Sequence, residues 1–72
     1  MKEDEQGKYI ELQDFLKVVG LAPTGGQAKI LIRAGVILVD GKVETKLRRK
    51  LRNGMIVENE GKQYVVNMEL LK

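Results

Sequence analysis

Apolar positions along this chain follow one period in its first half and another in its second. From Glu11 onward, Leu12, Phe15, Leu16 and Val19 fall at i, i+3, i+4 and i+7, which is one face of a helix. Gly20 can close that helix in a left-handed conformation, and Lys17 in the last turn suits the carbonyl end of the dipole. Ala28, Leu31, Ile32 and Gly35 repeat the spacing and predict a second helix, with Ile30 off the stripe and partly exposed. The short link between the two predicts an αα-hairpin packed through both stripes.

After Gly35 the period shortens. "VILV" precedes Asp40-Gly41, a strong local signal for a tight hairpin turn, and "KVE" follows it. In "TKLRRKLR" Leu47 and Leu51 are expected to anchor inward from an irregular strand or extended loop. Asn53-Gly54 marks a turn, and "MIVE" and "QYVVN" form a second hairpin around Glu60-Gly61. The expected fold is α+β: an N-terminal αα-hairpin packed on a small, mostly antiparallel β-sheet. Residues 1–8, polar and poor in apolar side chains, read as a flexible tail, leaving 9–72 as one domain.

The link itself, "GLAPTGGQAKILIRAG", raises the question of a phosphate-binding loop. Such a loop needs a preceding strand and Gly-Lys-Ser/Thr after the spacer; here a helix precedes, and Gly25 is followed by Gly26 and Gln27. A nucleotide-hydrolysing loop is therefore excluded. Thr24 and Gln27 instead stand in the Thr-x-x-Gln spacing of a capping box, worth about 1 kcal/mol. The two glycines in the first turn leave room for another backbone or a polyanion to approach the amide end of the helix.

Composition narrows the chemistry. With 72 residues the chain holds one small domain, and it contains no His and no Cys, so no disulfide and no Cys/His metal site is expected. No apolar run reaches the roughly 18 residues of a membrane span, and the charged start lacks the apolar core of a secretory signal. The expected location is the cytoplasm. Hydroxyl nucleophiles are limited to Thr24, Thr45 and two Tyr, and no carboxylate pair flanks an evident pocket, so the chain reads as a non-enzyme without cofactors.

Net charge is only +3, yet Lys42–Arg52 holds six basic residues and one acid. A basic block on a nearly neutral chain is the footprint of a polyanion partner. Lys29 and Arg33, four apart, project from one face of the second helix. Lys46, Arg48, Lys50 and Arg52 can share a face by their two-residue spacing, while Arg49 alternates with them alongside Leu47 and Leu51 and adds to the field by its charge. Few aromatics are available for stacking on single strands, which favours folded or double-helical RNA.

From about Ile10 to Val66 the chain resembles the alpha-L RNA-binding motif, the domain named for the fourth protein of the small ribosomal subunit. The resemblance rests on "LQDFLKVVG", "TGGQAKILIRAGVILVDGKVE" and "LRNGMIV", and is most specific in "AGVILVDGKVE". It is closest to the short, stand-alone bacterial members. It implies a small basic, ribosome-associated protein binding ribosomal or transfer RNA as a monomer, without a catalytic domain. It also implies that Thr24, Gln27, Lys29 and Arg33 are second-helix RNA contacts, whereas Lys46, Arg48, Arg49, Lys50 and Arg52 rest on charge alone. Three positions depart from the family pattern: Glu11 stands where a basic residue is common, Gly25 where an Arg opens the second helix, and Met55 where an Asp follows the late Gly. A protein-interaction module docking an acidic ribosomal or assembly-factor surface is the alternative, with the acidic start of the chain screening the basic block.

Overall fold

The computed structural model describes residues 2–70. Its elements run β1 (Lys2–Asp4), β2 (Gly7–Glu11), α1 (Leu12–Val18), α2 (Gly25–Arg33), β3 (Ile37–Val39), β4 (Lys42–Val43), β5 (Lys50–Leu51), β6 (Ile56–Asn59) and β7 (Lys62–Val65). The class is α+β, with two antiparallel sheets rather than the one expected: three strands in the order β1-β2-β5 and four in the order β4-β3-β6-β7.

The largest departure is at the start of the chain. Residues 2–8, read as a flexible tail, pair instead: Lys2 opposes Tyr9, Glu3 opposes Lys8 and Asp4 opposes Gly7. The helices are therefore preceded by a β-hairpin. The turn is set locally, where Asp4 Oδ1 accepts from the Gln6 amide at 3.0 Å, as a short acidic side chain does at a turn. Met1, Leu71 and Lys72, at the ends of the expected tail and domain, lie outside the described residues.

The apolar stripes go inward for most of their length, with Val19 and Leu31 only half-buried against the core. Leu12, Phe15 and Leu16 are fully buried from α1, Ala28 and Ile32 from α2, and the two helices pack on each other. Ile37, Val57 and Leu51 add the strands' share of the same cluster, and Val66, just past β7, joins them. Ile30 is 69% exposed, consistent with its place off the stripe.

Both expected hairpin turns form. Asp40 and Gly41 take φ of 51° and 84°, and Glu60 and Gly61 take 53° and 80°. Two consecutive positive values match the right-handed twist of flanking strands, and the second position is the one glycine fills without strain. Asp40 gains an extra hold, because its carboxylate accepts from the Ile56 amide at 2.9 Å.

Helix ends are satisfied in different ways. At α2 the Thr24 hydroxyl accepts from the Gln27 amide at 3.2 Å, which is half of the expected capping box; no return bond from the Gln27 side chain accompanies it. At α1 no side chain caps the start. The Leu12 and Gln13 amides donate instead to the Arg49 and Leu47 carbonyls, at 2.9 and 3.0 Å. The basic segment is thereby docked by its backbone onto the amide end of α1.

Candidate nucleic-acid interface

The expected site residues fall into two groups. Thr24, Gln27, Lys29 and Arg33 lie along α2, all exposed. Lys29 and Arg33 make no ion pair among the described residues. Gln27 also lines an open depression of about 340 Å³ with Leu21, Ile30 and Leu31.

The second group departs from the alternation expected of it. A turn at Lys46–Arg49, closed by the Arg49 amide on the Lys46 carbonyl at 3.3 Å, interrupts the strand, so only Lys50 and Leu51 are extended in β5. The carbonyls of Leu47 and Arg49 are claimed by α1, which is why regular alternation cannot run through them. Leu51 is buried, and Lys50 and Arg52 flank it.

Register explains what those two side chains meet. Ile10 opposes Leu51 and Glu11 opposes Lys50 across β2 and β5. Opposed residues share a sheet face, and alternate residues share it along a strand. Ile10 and Leu51 therefore turn to the core, while Tyr9, Glu11, Lys50 and Arg52 turn outward, joined by Lys2 and Asp4 from β1.

On this outer face nearly every cation has a carboxylate. Asp4 Oδ2 accepts from Lys50 Nζ at 2.8 Å and from Arg52 Nη2 at 2.7 Å. Glu11 Oε2 accepts from Lys2 Nζ at 2.9 Å and Arg48 Nε at 3.1 Å, and its other oxygen from Gln13 at 3.2 Å. In the segment between β4 and β5, Glu44 accepts from Arg49 Nη1 at 3.2 Å and also from the amides of Thr45 and Lys46. Lys50 Nζ and Arg52 Cζ lie 4.9 and 5.4 Å from the centre of the Tyr9 ring, within reach of its negative face.

The electrostatic consequence is firm ionisation. Hydrogen bonds from Arg52 and Lys50 hold the Asp4 carboxyl well below the usual carboxylate range. Glu11 is lowered to about 2, chiefly by the Lys2 bond, with Arg48 and Gln13 outweighing its desolvation together with it. The Lys50 ammonium is correspondingly pushed up by Asp4.

The basic block is therefore not an uncompensated field. Six cations (Lys2, Lys46, Arg48, Arg49, Lys50, Arg52) surround three carboxylates, so the region stays positive, but among the described residues only Lys46 of the six lacks an ion pair. Between the two cationic groups stands α1: β5 pairs with β2, α2 packs on α1, and α1 touches both α2 and β2.

Sequence reasoning raised the acidic start of the chain as a screen for the basic block but singled out none of Lys2, Asp4, Tyr9 and Glu11 as the residues that meet it. One signal was present. Glu11 sits between Ile10 and Leu12, and an acid flanked by core residues must find a cation or pay desolvation. It is 5% exposed, and it found two.

Among the described residues no helix is long and apolar enough to cross a membrane, and no group of acidic side chains could hold a metal.

Comparison with known proteins adds a family to this geometry. A model of the S4 domain matches residues 4–67. The chain is 45% identical over 53 residues to the "Putative RNA-binding protein YbcJ" of Escherichia coli (strain K12), covering 74% of this chain and 76% of that one. The same identity and coverage hold for the "Uncharacterized protein YbcJ" of Shigella flexneri. The match begins at Asp4, inside the β1–β2 hairpin.

Proposed function

Since this chain belongs to the S4 domain family, we propose that it is a non-enzymatic RNA-binding module that grips structured RNA by its phosphate backbone. The observation carrying this reading is the exposed pair Lys29 and Arg33 on α2, one helical turn apart and without carboxylate partners among the described residues. Their charge is free to meet phosphates. Thr24 and Gln27 continue the surface to the start of the helix, where Gly25 and Gly26 leave open space: a Cβ at Gly25 would meet nothing within 4 Å.

Lys46 adds a cation with no ion pair among the described residues, and Arg48, Arg49, Lys50 and Arg52 supply spare donors around their existing pairs. A guanidinium carries five N–H donors and an ammonium three, so one carboxylate does not exhaust them. The partner in this reading is ribosomal or transfer RNA, met in the cytoplasm by a monomer associated with the ribosomal subunit. The relative's printed name, which assigns RNA binding to that protein, supports the class of ligand. The RNA-binding unit then takes in the β1–β2 hairpin as well as residues from 9 onward.

Binding of transfer RNA and of ribosomal RNA fragments, followed by anisotropy across a salt series, tests the proposal. Each phosphate contact adds roughly one to the salt slope, so Lys29→Ala and Arg33→Ala should each lower it by about that amount. Native protein that ignores both RNAs at low salt removes the reading. Affinity capture with and without ribonuclease addresses the protein-docking alternative, since partners held through RNA are lost on digestion.

A further inference from the structure

We infer that Asp4, with Glu11 behind it, is a specificity-determining residue: an internal counter-anion that keeps the outer face of the β1-β2-β5 sheet from binding polyanions indiscriminately. The inference rests on the RNA-binding reading above, which supplies the competing phosphates.

The geometry gives Asp4 the place a phosphate oxygen would take. One oxygen, Oδ2, accepts from both Lys50 and Arg52, at 2.8 and 2.7 Å, and these are the shortest ion pairs among the described residues. The two cations reach it from the same sheet face, two residues apart, both over the Tyr9 ring. Asp4, Glu5, Gln6, Lys50 and Arg52 line an open depression of about 450 Å³, so the pairs are accessible to a polyanion rather than sealed. Glu11 does the same for Arg48 and Lys2 one strand over.

A polyanion that docks only through this face must displace these carboxylates or tolerate their repulsion. One anchored through Lys29 and Arg33 on α2, which pair with neither carboxylate, gains those two contacts without displacing either and uses only spare donors of the sheet face. The carboxylates thus penalise the charge-driven mode more than the mode that uses α2. This is discrimination by an unfavourable term against the wrong ligand, not by a better contact with the right one.

Heparin is a suitable probe of the charge-driven mode, because it offers dense anions without nucleic-acid shape. Asp4→Asn removes one negative charge while keeping the shape of the side chain. Glu69→Gln makes the same change in net charge at an exposed residue outside the sheet face and serves as the reference. Asp4→Asn should bind heparin roughly threefold to fivefold tighter than Glu69→Gln, with a salt slope larger by about one. Adding Lys50→Met to Asp4→Asn should abolish the gain. Equal heparin affinity of Asp4→Asn and Glu69→Gln, or persistence of the gain in the double variant, overturns the inference.

A second comparison leaves Asp4 in place, in case Asp4→Asn does not fold. In the native background Lys46→Met, which removes a cation with no ion pair among the described residues, should weaken heparin binding more than Lys50→Met, whose charge Asp4 already answers. A Lys50→Met loss equal to or larger than that of Lys46→Met overturns the inference. The heparin results stand apart from RNA binding: failure of native protein to bind either RNA would sink the proposed function, whereas these ratios test Asp4 alone.

Discussion

Asp4 and Lys50 stand 46 positions apart in the chain and meet at 2.8 Å across the β1-β2-β5 sheet. That contact, with its neighbours at Arg52 and Glu11, ties the start of the chain to the basic segment. It also makes the fold sensitive to acid. Hydrogen bonds from cations hold Glu11 at about 2, against an ordinary value of 4.5, and lower Asp4 in the same direction. A carboxyl whose folded pKa is depressed stabilises the fold above its unfolded pKa, and that contribution fades as pH falls toward the folded value. Urea midpoints should therefore hold level from pH 7 to about 5 and decline between about pH 5 and 2. Glu11→Gln should be less stable than native protein at pH 7 and should decline less steeply through that window. Parallel pH profiles for the two proteins would show that Glu11 is not the group responsible.

The cap on α2 makes a prediction about stability alone. Thr24→Ala removes the hydroxyl that accepts from the Gln27 amide, a loss of about 1 kcal/mol, while Thr24→Ser should cost much less. Thermal unfolding of the pair measures the difference. Equal destabilisation by Ala and Ser would assign the effect to the Thr methyl group rather than the cap.

Gly25 makes one about binding. A Cβ there meets nothing within 4 Å, and the residue opens α2 where the resembling family places an Arg. Gly25→Arg should gain helix propensity of under about 1 kcal/mol and lose a similar amount to the unfavourable charge at the amide end, leaving stability nearly unchanged. RNA affinity should rise, with a salt slope steeper by roughly one. An unchanged slope would place the start of α2 away from the RNA.

What the sequence disclosed follows the reach of each signal. The stripes of Leu12, Phe15, Leu16 and Val19 and of Ala28, Leu31, Ile32 and Gly35 are local and periodic; Leu12, Phe15, Leu16, Ala28 and Ile32 bury fully, while Val19, Leu31 and Gly35 are half-buried. Asp40-Gly41 and Glu60-Gly61 are local too, since two adjacent residues carry the turn. The β1–β2 hairpin has no such pattern: "KEDEQGKYIE" is mostly polar, and β2's partner on one side, β5, lies about forty residues downstream. Its side chains are joined to the basic segment by ion pairs, and charge complementarity over that separation leaves no period to read. Asp4 three residues before Gly7 was the one turn signal available. The same blindness affected the site. Counting charges raised the acidic start as a screen for Lys42–Arg52 but could not name Asp4 and Glu11 as the carboxylates that meet its cations.

Leu51 tests how far the basic segment depends on the core. Its side chain is fully buried, opposite Ile10, while Lys50 and Arg52 on either side stay on the surface. Leu51→Ala should cost about 2–5 kcal/mol, a large part of the total expected for a domain of this size. Denaturant unfolding measures the loss directly. A cost below about 1 kcal/mol would mean that β5 is held by its ion pairs rather than by this side chain.

Arg48 separates charge from structure. Its side chain is 75% exposed and touches Glu11 through Nε alone, so its terminal nitrogens remain available. Glu11 keeps Lys2 and Gln13 when Arg48 is removed, so the buried carboxylate is not orphaned. Arg48→Ala should accordingly cost well under about 1 kcal/mol of stability, as an exposed pair does. If Arg48 also meets phosphate, the variant should bind all RNA sequences more weakly by a similar factor and lose roughly one from the salt slope. Lys2→Ala offers the contrast: Lys2 supplies the leading bond that lowers Glu11, so its removal should raise the Glu11 pKa and shift acid unfolding toward higher pH. Unaltered RNA binding by Arg48→Ala, with stability also unaltered, would assign Arg48 to neither role and confine the interface to α2 and Lys46.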